Sequence, residues 1–167
     1  MDVEQALQLD MVRNMVGAAE AYEHVLQADP ANLSVLLNLL AIYWQSTDYG
    51  ISASLSLPVE FIVVSGQRLS ELMSYLKERY SDDPAAQFWT MYVGWTDYGG
   101  ELDLELCRRL LKDYPSYLEP VMPLYMQGVD GEFGEKVDRL RNDCRTNSTE
   151  RCRYIASVLT SHLNLDR

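Results

Sequence analysis

Histidine and cysteine are scarce in this 167-residue chain, and cations are scarce in its first half; each scarcity removes a class of function. The two histidines, His24 and His162, stand far apart, and no His-Glu-x-x-His, Glu-x-x-His or Cys-x-x-Cys spacing occurs. Zinc and di-iron sites depend on such spacings to bring ligands onto one helix face or one turn, so no metal is expected. Cys107, Cys144 and Cys152 are odd in number and irregularly spaced, which argues against a disulfide framework and agrees with a reducing compartment. No apolar run approaches the ~20 residues of a membrane span. The densest run, 35–44, is too short and carries Asn38. The opening MDVEQALQLD is acidic and lacks the basic and apolar regions of a signal peptide. A soluble, cytoplasmic protein is the expectation. Ser65-Gly66 lacks the leading glycine of a nucleophile elbow, and Gly128, Gly131 and Gly134 come without the lysine and hydroxyl of a phosphate loop. Glu20 and His24 stand four apart on one helix, an ordinary surface pair. No catalysis, catalytic residue or cofactor is expected.

The formal net charge is −11, which argues against general nucleic-acid binding because a polyanion is repelled by an acidic surface. Residues 1–100 hold four Lys/Arg against thirteen Asp/Glu, and no cation lies between Arg13 and Arg68. The balance reverses from Lys136 to Arg153, with six cations and three acids. Such asymmetry steers a basic partner to the N-terminal half, or else reflects solvated helix faces of uneven composition.

The apolar residues recur at helical spacing almost throughout. A first helix is expected over 2–13, then a second over about 17–28 carrying Ala18, Tyr22, Val25 and Leu26 on one face. Asp29-Pro30 ends it, and Asn32 caps a third helix over 32–46 with Leu36, Leu39, Leu40 and Tyr43 as its stripe. Thr47-Asp-Tyr-Gly50 closes that helix, with Gly50 available for a left-handed stop, and 51–56 reads as a polar linker. Residues 58–80 read as a helix kinked near Gly66, because 59–64 is rich in β-branched residues. Asp83-Pro84 opens a helix whose Phe88, Met91, Tyr92 and Trp95 repeat the earlier stripe, and Thr96-Asp-Tyr-Gly99 repeats its ending. A partner helix follows over 102–113. The spacing recurs at Leu118, Val121, Met122 and Tyr125, where Pro120 and Pro123 require a helix starting at about Glu119. Helices at about 133–144 and 148–163 finish the chain, the last opened by Asn147 with Glu150 as a capping box.

These frames resemble a degenerate tetratricopeptide-repeat protein. Ala18, Tyr22, Val25 and Pro30 match the family's second-helix pattern, and Leu36, Leu39 and Tyr43 its first-helix pattern, with Leu40 where a small residue is usual. Phe88, Met91 and Trp95 keep the spacing. No strict 34-residue period survives, and the likeness is clearest over 16–45 and 84–127. The resemblance implies an all-α fold: about eight helices in antiparallel pairs, stacked as one domain (1–167) in a short right-handed solenoid, with 133–163 capping the stack. It also implies a concave groove lined by first helices, at Leu37, Asn38, Ala41, Trp44, Gln45, Trp89, Thr90 and Val93. Trp44 and Trp89 are the candidate anchors, since large rigid side chains dominate binding hot spots; inter-helix packing in the core is the alternative for both. A carboxylate clamp at Asn38 would need neighbouring cations, which 14–67 does not supply.

The reading is a non-enzymatic adaptor or chaperone-like module that holds another protein or peptide, neutral or basic, without membrane contact. Two alternatives stay open. A nucleic-acid-associated regulator would use Lys136, Arg139, Arg141, Arg145, Arg151 and Arg153, with Arg108 and Arg109. A helical enzyme would need a polar pocket around His24, His162 or Cys107.

Overall fold

The computed structural model describes residues 2–128 and 131–161, and every regular element among them is an α-helix. The helices are α1 (Val3–Met11), α2 (Met15–Ala28), α3 (Leu33–Thr47), α4 (Tyr49–Ser54), α5 (Val59–Arg79), α6 (Pro84–Tyr98), α7 (Leu104–Asp113), α8 (Val121–Met126), α9 (Gly134–Thr146) and α10 (Glu150–Ser161). The chain is therefore all-α, with ten helices among the described residues where about eight are expected. No helix there is long and apolar enough to cross a membrane. His162 and the expected end of the last helix lie outside the described residues.

Where the sequence reads as one domain, the residues gather into two compact units: 1–78 with 148–151, and 79–147 with 152 onward. In the first unit α1 packs on α2, α2 on α3 and α3 on α4. Asp2 and Gln5 cap α1 reciprocally, at 3.2 and 2.9 Å. Arg13 takes a left-handed conformation (φ 62°) between α1 and α2, and the Asn14 side chain accepts from the Gly17 amide at 3.1 Å to start α2. Asn32 caps α3 as its sequence suggests, accepting from Val35 N–H at 3.2 Å. Every residue of α3 from Val35 to Ser46 is buried. A helix apolar on all sides belongs inside, and α3 is the centre of this unit's core.

The two copies of Thr-Asp-Tyr-Gly end differently. Gly99 is the left-handed stop of α6, at φ 68°. Gly50 instead lies within α4, because Asp48 accepts from the Ile51 amide at 2.9 Å and so caps a new helix. The polar linker expected over 51–56 is thus largely helical. The helix expected over 58–80 is α5, which runs from Val59 to Arg79 without a break at Gly66. One glycine costs a helix only about 1 kcal/mol, less than the burial of Leu69, Leu72, Met73 and Leu76 returns.

In the second unit Asp83 caps α6 through the Ala85 and Ala86 amides at 2.8 and 3.1 Å, with Pro84 in the first turn. Phe88, Trp89 and Tyr92 are fully buried there, Phe88 stacking on Tyr92 with ring centroids 5.6 Å apart. The indole N–H of Trp89 donates to Glu119 at 2.5 Å, and the Tyr92 and Tyr154 hydroxyls are 2.8 Å apart. Helix α8 starts after Pro120 and keeps Pro123 in its first turn, leaving Leu118 outside the helix but buried. Asn147 closes α9 by donating its amide to Asp143 O at 3.1 Å and does not open α10. The capping box expected at Asn147 and Glu150 is absent because the Glu150 amide is already bonded, at 2.7 Å, to Asp10 of α1.

Candidate functional site

The eight residues expected to line a groove are all interior. Leu37, Asn38, Ala41, Trp44, Gln45, Trp89, Thr90 and Val93 are each 7% exposed or less. The five from α3 sit on a helix with no free face between Val35 and Ser46. On α6, Thr90 folds its hydroxyl back onto Ala86 O at 2.7 Å, and Trp89 is held by Glu119. Asn38 donates to the Tyr22 hydroxyl at 3.2 Å, and that hydroxyl donates to buried Asp10 at 3.0 Å. These groups hold helices together and present no surface to a ligand. The tetratricopeptide groove at these positions is therefore corrected: both tryptophans take the core role.

An open groove instead lies in the first unit, between α2, α3 and the start of α5. It has a volume of about 630 Å³, within the range of concave binding sites. One wall is the stripe Val16, Ala19, Glu20, Glu23, His24 and Gln27 of α2. This i, i+3, i+4 spacing runs about 16 Å along the helix. The opposite wall is Pro58, Glu60, Phe61 and Val64, with Tyr43 of α3 between them. Phe61 packs on Tyr43 with ring centroids 6.3 Å apart.

The groove is built on a fixed polar bridge. Glu23 Oε1 accepts from the Tyr43 hydroxyl at 2.9 Å and from Arg68 Nε and Nη2 at 3.0 and 2.5 Å, so α2, α3 and α5 share one carboxylate oxygen. Burial first, and the Glu23 charge second, hold the Tyr43 hydroxyl above its ordinary range, so it stays a donor. The hydrogen bonds to Glu23 in turn hold the Arg68 guanidinium above its ordinary range. Arg68 also pairs with Glu71, lowering that exposed carboxyl. Glu20 and Glu60 are exposed and enter no ion pair among the described residues. On the groove wall Val64 is 49% exposed, and elsewhere on the same stretch of α5 Val59 and Val63 are each 69% exposed.

His24 stands on the α2 wall, Cys107 is fully buried in the second unit, and His162 lies outside the described residues. Burial, then the Asp103 charge, pushes the Cys107 thiol up to about 12, far from a reactive thiolate. The basic segment is partly engaged within its own units. Arg141 donates to Asp138 at 2.6 Å and to Leu159 O at 3.2 Å, while Arg139 and Arg145 are exposed. Arg151 and Arg153 are half-buried, and Arg108 pairs with Glu105. Lys136 and Arg139 line a second cavity together with Glu132 and Glu135.

Sequence reasoning passed over Glu20, Glu23, Phe61 and Val64 as a set, although a signal exists. The run 59–64 places apolar residues at 59, 61, 62, 63 and 64, more than one helix face can bury. The chain matches no protein-family model, no curated protein and no solved structure.

Proposed function

We propose that this protein is a non-enzymatic interaction module, adaptor or chaperone-like, that holds a segment of a partner polypeptide against the α2–α5 groove. Each unit is read as a short run of tetratricopeptide-like antiparallel helix pairs, a plan supported by the packing of helices on their sequence neighbours. The observation that carries the function is the groove itself, which sets apolar Val16, Ala19, Phe61 and Val64 beside the exposed acids Glu20 and Glu60. Contiguous apolar surface rimmed by charge marks a protein-binding site, whereas scattered apolar residues do not. The three cysteines, odd in number and buried, support a reducing, cytoplasmic setting for this activity.

Site-specific photo-crosslinking in the native cell tests the reading. A benzophenone side chain replacing Val64 should give discrete protein adducts, and the same group replacing Tyr114, an exposed residue of the second unit, should not. Matching adduct patterns from both positions, or none from Val64, would reject the groove as the binding surface.

A further inference from the structure

We infer that the occupant of the α2–α5 groove is a cationic amphipathic helix: an apolar stripe flanked by Lys or Arg on both sides. This rests on the reading of the groove as a polypeptide site and names the class of segment it takes. Three observations converge on it.

The first is the shape of the binding surface. The described residues contain no strand, so no sheet edge is offered to an extended peptide, and recognition falls to side chains on helix faces. The α2 wall, Val16 to Gln27, is three turns of regularly spaced side chains. A third helix laid along α2 and α5 meets ridges at its own spacing, the ordinary way helices pack.

The second is the floor. Val16, Ala19, Phe61 and Val64 line the groove. An apolar stripe at i, i+3, i+4 and i+7 on the partner would cover that length.

The third is charge. Glu20 stands on one wall and Glu60 on the other, both exposed and outside any ion pair among the described residues. Glu23 is already committed to Tyr43 and Arg68, and Arg68 is committed to Glu23 and Glu71. The groove's open charges are thus of one sign, within a stretch that has no cation between Arg13 and Arg68. Acids on both walls select a helix with cations on both flanks and repel an acidic one.

The test uses the full chain and a fluorescent, end-blocked peptide of about four helical turns with a leucine stripe and lysine flanks, followed by anisotropy. Comparison peptides carry glutamate flanks, or the lysine composition scrambled so that the stripe is lost. The lysine peptide should bind at least about tenfold tighter than either at low salt, and the margin should shrink as salt screens the walls. Val64→Asp should weaken it about tenfold. Glu20→Lys with Glu60→Lys should weaken it similarly and turn the preference toward the glutamate peptide. Glu101→Lys with Glu135→Lys, the same charge change on exposed acids of the second unit, should alter affinity less than threefold. All four acids are exposed, and far-UV circular dichroism confirms that each variant is folded.

Equal affinity for lysine and glutamate flanks, indifference to Val64→Asp, or equal weakening by the distal pair would overturn the inference, the last by showing attraction to net charge alone. If Val64 crosslinks a cellular partner while these peptides show no preference, the groove stands as a polypeptide site and its cationic-helix occupant does not. If both experiments fail, the groove reading falls as well.

Discussion

The backbone amide of Glu150 donates to the carboxylate of Asp10 at 2.7 Å, joining residues 140 positions apart. The first amides of a helix have no partner inside it, and here one of them is satisfied by a buried side chain from α1. Asp10 is 2% exposed and its other oxygen accepts from Tyr22, so one carboxylate ties Glu150 to α1 and α2 within the first unit. Above it, the Glu150 side chain, itself 2% exposed, takes two hydrogen bonds from Arg13, each at 3.2 Å. This is why residues 148–151 cluster with the first unit.

Asp10→Ala should therefore destabilise the chain by roughly 2–4 kcal/mol, because it strands a buried hydroxyl and a buried amide together. Urea unfolding followed by circular dichroism measures this as a lower midpoint. A loss below about 0.5 kcal/mol, the range of an ordinary surface substitution, would show that the anchor is not structural.

Trp44→Ala and Trp89→Ala should act on stability. Both side chains are buried, at 5% and 1% exposure, and truncating such a residue costs about 3–5 kcal/mol. Calorimetric melting should show a large drop in Tm for each. Unchanged melting with lost partner binding would restore them to a groove.

Gly66→Ala should stabilise the chain by roughly 0.5–1 kcal/mol, as expected in a continuous helix. The added methyl would meet nothing closer than Thr47 Cγ2 at 3.9 Å. Gly99→Ala should do the opposite, by about 1 kcal/mol, because its φ of 68° disfavours a side chain. Paired denaturation curves separate the two. Destabilisation by Gly66→Ala would indicate that α5 needs a hinge there.

Alkali should unfold the chain in a defined window. Burial is the leading cause that holds the Cys107 thiol and the Tyr22, Tyr43, Tyr92 and Tyr154 hydroxyls above their ordinary values. Each is neutral when protonated, so the unfolded chain loses these protons first, and folding stability falls as pH rises. The contribution is whole below the ordinary thiol value of 9.0 and erodes toward about 12, where folded Cys107 itself ionises. Each group adds up to about 1.4 kcal/mol per pH unit. Above pH 9 the last part of the tyrosinate absorbance at 295 nm, that of the buried hydroxyls, should therefore rise only as helicity is lost. The full tyrosinate signal of all eleven tyrosines forming with helicity intact would contradict burial of these hydroxyls.

What the sequence by itself determined is local. Asn32 and Asp83 cap their helices, Pro30 and Pro115 fall just past helix ends, and the stripe Leu36, Leu39, Leu40 and Tyr43 faces the core, because caps and spacing act within one or two turns. Identical tetrapeptides ending at Gly50 and Gly99 already exceed that range, since neighbouring residues decide whether the chain starts a new helix or stops. The candidate site was less legible still. A stripe gives the side of α3 that packs but not how many neighbours surround it, so Leu37, Asn38, Ala41, Trp44 and Gln45 could not be told from groove residues. Only the tertiary structure decided that α3 is enclosed, that Asp10 accepts from the Glu150 amide 140 residues away, and that Glu20 and Glu60 face one groove. The physical reason is that burial and long-range hydrogen bonding depend on which helices meet. That choice is set by the summed packing of distant segments, which no short window of sequence contains.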